Sequence, residues 1–248
     1  TPCPTDNLYR IIGVFGDKVK LIKSDYATSA LLGTDGDYYR IYSSGFSNYK
    51  GNNSANIATY YWNKSNQNTW SMSNLNKTNL NKNFITNIGA DWAAKIAETT
   101  WKVEGNTWAN IGEQPAKTAY QNEIVSPVTT NTTDGATEYS AKIGLMYVSD
   151  YMYAAPQDKW TLVGNNSSDA SNDYRAATSV NWMYMGLNEW TISRGANIDW
   201  YVFRVTSTGN VATYYANDAY AVRPVFYLSS SVTYAEGDGT KDLPIRVN

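Results

Sequence analysis

The side chains that usually carry chemistry are scarce in this chain. It has no histidine, and its single cysteine, Cys3, stands near the amino terminus. Without His, the commonest general base and the commonest metal ligand are both missing. A lone Cys excludes an internal disulfide, a multi-Cys zinc site and a Cys–His pair. Zinc and triad chemistry are therefore ruled out. No glycine-rich phosphate loop, Walker pattern, GxSxG elbow or HExxH occurs. Carboxylate chemistry survives, because 22 acidic residues remain. A glycoside hydrolase needs two carboxyl groups facing one cleft, within about 10 Å. Asp150 and Glu189, both in aromatic stretches, are the acids to nominate, and each also suits a structural acceptor for Arg or backbone N–H groups. Asp35/Asp37 and Asp169/Asp173 lack the oxygen-ligand spacing of a calcium loop and read as solvated turns. The expectation is no catalytic residue, no metal and no cofactor.

The aromatic residues point to binding instead. There are 21 Tyr and 9 Trp against 5 Phe. Tyr and Trp present large, rigid surface with a polar edge and little rotamer freedom, which suits binding surfaces. They also suit half-buried strands, so a single aromatic decides nothing. A cluster is more telling. The segment "GANIDWYVFRVTSTGNVATYYANDAY" (195–220) is crowded with Tyr, Asn and small residues and contains no Lys, Glu, Gln or Met. Randomising the first two bases of Asn codons, with a pyrimidine kept third, can never produce those four residues. Trp200 is unreachable by that route and counts against a strict version.

The elements that must hold this segment can be read from periodicity. A content of 42% hydrophobic residues in 248, with net charge −2, is enough for a core and leaves no electrostatic footprint for nucleic acid or an anionic membrane. No apolar run of about twenty residues exists, so no membrane insertion is expected within this segment. The chain starts at Thr1 rather than Met, as expected of a processed or truncated form with a removed signal or anchor. Residues 8–25 predict a β-hairpin around Gly16-Asp17. Residues 33–72 read as long loops with one short strand. Leu75, Leu80, Phe84, Ile85 and Ile88 predict a helix stopped by Gly89, and Asp91 a cap for a second helix carrying Trp92, Ala93 and Ile96. Both helices are expected to cover a sheet. A Pro- and Thr-rich connection (113–137) follows "TTWKVEGNTW" (99–108), then a strand over 139–154 and a Ser/Asn/Asp-rich loop over 161–180. Residues 182–193 read as a strand or turn buried on both sides. Pro224 places the closing strand at an edge or opens it. Helices grouped rather than alternating with strands make the class α+β, in one domain over 1–248.

"NLYRIIGVF", "VKLIKSDYA", "KIGLMYVSDYMYA", "MGLNEWTISR" and "AVRPVFYL" together resemble the secreted or pilin-anchored variable proteins of gut bacteria and their phages, which are diversified by retroelements. The resemblance covers nearly the whole chain, and its most specific part is the bracket "EWTISR…VRPVFYL". It implies a C-type lectin-like fold, with two helices packed on antiparallel sheets and long loops. It implies a non-catalytic, extracellular or cell-surface ligand-binding protein of adhesin type, whose partner is a protein or glycan on a host or bacterial cell, with pilus or surface assembly a further role. "STGNV" (207–211) is similar to the hairpin template of such proteins, and Trp190, Arg194, Arg223 and Pro224 would be framework. Lectins that grip sugars through calcium carry Glu-Pro-Asn or Gln-Pro-Asp; "EQPA" (113–116) and "APQD" (155–158) match neither, so calcium-dependent sugar binding is not expected. The oxidase branch of the same fold needs reactive cysteines, which Cys3 alone cannot supply. The alternatives are a carboxylate-dependent glycoside hydrolase and a structural pilus or surface subunit.

The expected ligand surface is Ile198, Trp200, Tyr201, Arg204, Thr206, Ala212, Thr213, Tyr214, Tyr215, Asn217, Asp218 and Tyr220. Along "WYVFRVT", alternation puts Phe203 and Val205 in the core and Trp200, Val202, Arg204 and Thr206 on the other face, with Arg204 and Thr206 toward solvent. Past Thr208-Gly209 the register stays open, because Gly209 can introduce a bulge. Arg223 is expected to satisfy backbone carbonyls or an acidic partner such as Glu189.

Overall fold

The computed structural model describes residues 8–107, 115–127, 137–160, 178–240 and 242–248. Strands follow one another as β1 (Tyr9–Phe15), β2 (Lys18–Lys23), β3 (Tyr38–Ile41), β4 (Ala58–Tyr61), β5 (Thr99–Lys102), β6 (Glu138–Ala141) and β7 (Ile143–Gly144). The second half adds β8 (Glu189–Arg194), β9 (Tyr201–Val205), β10 (Val211–Tyr215), β11 (Ala219–Tyr220), β12 (Val225–Tyr227), β13 (Tyr234–Glu236) and β14 (Arg246–Val247). Helices are few and the strands named here pair antiparallel, so the molecule is α+β.

The N-terminal hairpin forms where the alternation places it. Gly16 takes φ +63°, the left-handed conformation that the tight turn between β1 and β2 requires. β2 pairs with the closing strand in the sheet order β1-β2-β12-β7. Pro224 precedes β12 and lends only its carbonyl, which accepts from Lys23 N at 3.0 Å. The strand therefore opens after the proline and lies inside the sheet, not at its edge. One face of this sheet is covered by helix, as the periodicity predicts. Leu75–Phe84 runs on through Ile85–Asn87, and Ala90–Lys95 follows. Phe84, Trp92 and Tyr9 all pack their rings on Phe226. Gly89, at φ +87°, separates the two helices, and it occupies the cap position of the second; Asp91 sits inside the first turn.

Four expectations need correction. Residues 139–154 are not one strand: after β6 and β7 the chain turns into a helix over Val148–Tyr153. Asp150 decides this, because its carboxylate accepts the Tyr147 N–H at 2.8 Å and closes the first turn. Residues 33–72 hold two strands, with β4 paired on both sides by β3 and β11. The connection over 113–137 contains a helix, Ala116–Tyr120 running on through Gln121–Val125; Ala116, Ala119 and Glu123 share its buried face. Asp37 is no solvated turn residue either. It is buried and accepts the N–H groups of Asn74 and Leu75 at 2.8 and 3.0 Å, satisfying the start of the long helix. Cys3, Asp169, Asp173 and residues 161–177 of the expected loop lie outside the described residues.

The remaining strands form a three-stranded sheet, β10-β9-β8, the sheet β11-β4-β3, and the pairs β13-β14 and β5-β6. All six residues of β8 are buried, as expected of residues 182–193. The main hydrophobic cluster draws on every large sheet, from Leu21 to Leu228. Among the described residues no helix is long and apolar enough to cross a membrane.

Candidate ligand-binding surface

β9 and β10 form a hairpin with continuous register: Tyr215 faces Tyr201, Thr213 faces Phe203 and Ala212 faces Arg204. No bulge interrupts it. Gly209 spends its freedom in the turn, at φ +91°, where Thr206 N donates to Asn210 O at 2.8 Å. The Tyr151 hydroxyl donates to Gly209 O at 2.7 Å and ties the turn to the body of the protein. On the other side of β9, Trp190 of β8 stands opposite Arg204. After β10 a short turn leads into β11, where Tyr220 pairs with Tyr60.

This topology brings six aromatic rings into a row. Trp200 meets Tyr201 at 6.4 Å between centroids, Tyr201 meets Tyr215 at 5.1 Å, and Tyr215 meets Tyr214 at 5.7 Å. Tyr214 meets Tyr220 at 6.2 Å, and Tyr220 rests on Trp190 at 4.6 Å. The Arg204 guanidinium carbon lies 4.8 Å from the Tyr214 ring and 4.6 Å from the Tyr220 ring, a double cation–π contact. Its Nε is buried without a hydrogen-bond partner. Trp200, Tyr214 and Tyr215 are 44%, 40% and 42% exposed, too open for core residues.

The expected surface is thus largely assembled. Trp200, Tyr201, Arg204, Tyr214, Tyr215 and Tyr220 form the row, and Ala212 lies beside Arg204. Asp218 stands near it; burial raises its carboxyl, and Arg204 works in the opposite direction. Asn217 is exposed, and Ile198 lies in the turn before β9. Thr206 sits at the far end of β9 from Trp200, engaged with Thr208 and Asn210. Thr213 shares the Phe203 face. Two details differ from expectation. Val202, placed by alternation on the Arg204 face, is fully buried, because that face packs into the main hydrophobic cluster at its centre. Tyr220 is half-buried, since Trp190 takes one side of its ring.

Sequence reasoning missed three contributors. Tyr42 lies close enough to Arg204 for that charge to oppose the rise that burial causes in its hydroxyl. Tyr61, tilted against Tyr39 at 5.3 Å between ring centroids, extends the aromatic surface across β4 toward Asp218. Asn68 is the anchor: its side-chain nitrogen donates to the carbonyls of Gly195, Ile198 and Tyr201 at 3.1, 2.7 and 2.9 Å, while its own N–H donates to Asp199 O. The "TYYW" run at 59–62 was the available sign of the strand that carries Tyr61.

Buried charge holds the frame. Arg223 pairs with Glu189, and Arg194 with Glu104. Trp190 donates its indole N–H to Tyr60 O at 2.8 Å. Asp150 is engaged by Lys20 at 2.5 Å. Both acids nominated for glycoside hydrolysis are therefore tied to cations inside the protein, and neither carboxyl is offered to an open cleft with the other. Chemically, the surface can stack, donate hydrogen bonds from neutral hydroxyls and meet negative charge at Arg204. No family model, no curated protein and no solved structure matches this chain.

Proposed function

We propose that this chain is a non-catalytic ligand-binding protein, and that the row from Trp200 to Tyr220, with Arg204 within it, is its binding face. The carrying observation is the exposed row of rings on a hairpin held by Asn68, Tyr151 and two buried ion pairs. Variable side chains on a rigid support can change without unfolding the protein. Tyr, Trp and Arg are also the residue types that dominate binding hot spots. On this reading the chain is a retroelement-diversified variable protein acting outside the cell, on a protein or glycan of another cell's surface. The pairing of the N-terminal hairpin with the closing strand, with helices on that sheet, supports a C-type lectin-like scaffold.

A binding array of host and bacterial surface proteins and glycans, probed with the folded chain and with Tyr214→Ala and Tyr215→Ala variants, tests this. Binding that both variants weaken supports the reading. Cleavage of oligosaccharides by the folded chain, lost on Glu189→Gln, would overturn it.

A further inference from the structure

Away from the aromatic row, β2 and the Val148–Tyr153 helix meet at a second buried cluster. Lys20 Nζ lies 2.5 Å from Asp150 Oδ2, and the two side chains are only 1% and 6% exposed. Rings surround the ammonium: Tyr147 at 4.6 Å, Phe15 at 5.3 Å, Tyr227 at 5.6 Å and Trp101 at 5.9 Å from Nζ to centroid. Asp150 Oδ2 also accepts the Tyr147 N–H. A second buried carboxyl, Glu123, accepts the next two amides, those of Val148 and Ser149, at 3.1 and 3.0 Å. Two buried carboxyls on three consecutive amides do not both ionise without cost, and Asp150 adds to the rise of Glu123. Burial pushes the Glu123 carboxyl up to about 7. The reactive form of a Lys–Asp pair is the neutral one: a neutral amine is a nucleophile, and a protonated carboxyl has a leaving group.

We propose that Lys20 and Asp150 condense after folding, so that an isopeptide bond joins β2 to the Val148–Tyr153 helix in the mature protein. The ammonium passes a proton to the carboxylate, the amine attacks Cγ, a C–N bond forms and one C–O bond breaks. The departing oxygen leaves as water with two of the three ammonium protons. Charge and atoms balance, and no oxidant or co-reactant is needed. Asp150 also lines a surface pocket with Ile12, Phe15 and Tyr153, which gives that water an exit. The bond would close a loop between residues 130 apart in sequence and so restrict the unfolded chain, as a long-range disulfide does.

The test is the intact mass of the folded, purified protein, followed by proteolysis. The expected result is a mass lower by one water and a branched peptide joining Lys20 to Asp150, with full mass restored in Lys20→Met. Localisation matters, because Asp35-Gly36 and Asp238-Gly239 can also lose water by cyclising. Full mass after prolonged incubation of the folded protein at neutral pH, or a water loss mapped to such a site with Lys20 and Asp150 in separate linear peptides, overturns the proposal. Both outcomes are read on the unmodified sequence, so a variant that fails to fold does not blunt them.

Discussion

Arg223 holds Glu189 by two hydrogen bonds, Nε to Oε1 at 2.7 Å and Nη2 to Oε2 at 2.9 Å, and Nη2 also donates to Met183 O at 2.6 Å. Burial works against the Arg223 charge, but the Glu189 carboxylate more than offsets it and keeps the guanidinium protonated. The pair links β8 to the residue before Pro224, so one contact fixes both borders of the variable segment. Removing one partner leaves an uncompensated buried charge. Glu189→Gln or Arg223→Met should destabilise by about 3–5 kcal/mol in denaturant unfolding. Replacing both with apolar residues of similar volume should cost less than the sum of the single changes.

Phe203 and Tyr215 lie on facing strands but differ in burial, and alanine at each should separate core from surface. Phe203→Ala should lower stability by about 3–5 kcal/mol. Tyr214→Ala and Tyr215→Ala should leave the melting temperature nearly unchanged and cost about 1–3 kcal/mol in ligand affinity. Tyr220 belongs to neither class. It carries Arg204 on one side and Trp190 on the other, so Tyr220→Ala should lose both stability and affinity. Thermal melts and titrations of the four variants read these outcomes.

Asn68 offers one side-chain nitrogen to three carbonyls of the turn before β9. Asn68→Ala should cost about 1–3 kcal/mol of stability, because buried carbonyls lose their donor. Hydrogen exchange of amides 195–201 should speed up more than that of β2 and β12. Uniform exchange across both regions would contradict the anchoring role.

Glu123 supplies a pH dependence of definite sign. Its carboxyl is raised from 4.5 to about 7, first by burial, with Asp150 adding to the rise and the Ser149 and Ser193 hydrogen bonds opposing it. A raised acid binds its proton more tightly in the folded state. Its contribution is complete below about pH 4.5 and is lost as pH rises to about 7. The loss amounts to about 3 kcal/mol. Glu123→Gln should remove that slope from the difference between the two stability–pH curves measured over this window. Parallel curves would show that Glu123 ionises normally.

Local rules wrote much of this molecule in advance. The hairpin around Gly16-Asp17, the helix bearing Leu75, Leu80 and Phe84, and the burial of residues 189–194 follow from period and turn chemistry, which need only near neighbours. The Arg223–Glu189 pair was legible because a charged residue inside an apolar strand requires an opposite partner. The unusual composition of 195–220 marked the segment that carries the aromatic row. Tertiary structure alone decided the rest. Asp150 converts half of an apparent strand into helix through one buried hydrogen bond and a cation from 130 residues away. Asp37 became a helix cap only when β3 was brought against Asn74. Val202 is buried on the face that alternation gives to Arg204 because that face also packs into the core, and alternation cannot say how much of a face its tertiary neighbours cover. Tyr42, Tyr61 and Asn68 joined the site from a stretch with no period of its own. Their places depend on β4 pairing with β11 across nearly 160 residues, a long-range contact that no local pattern encodes.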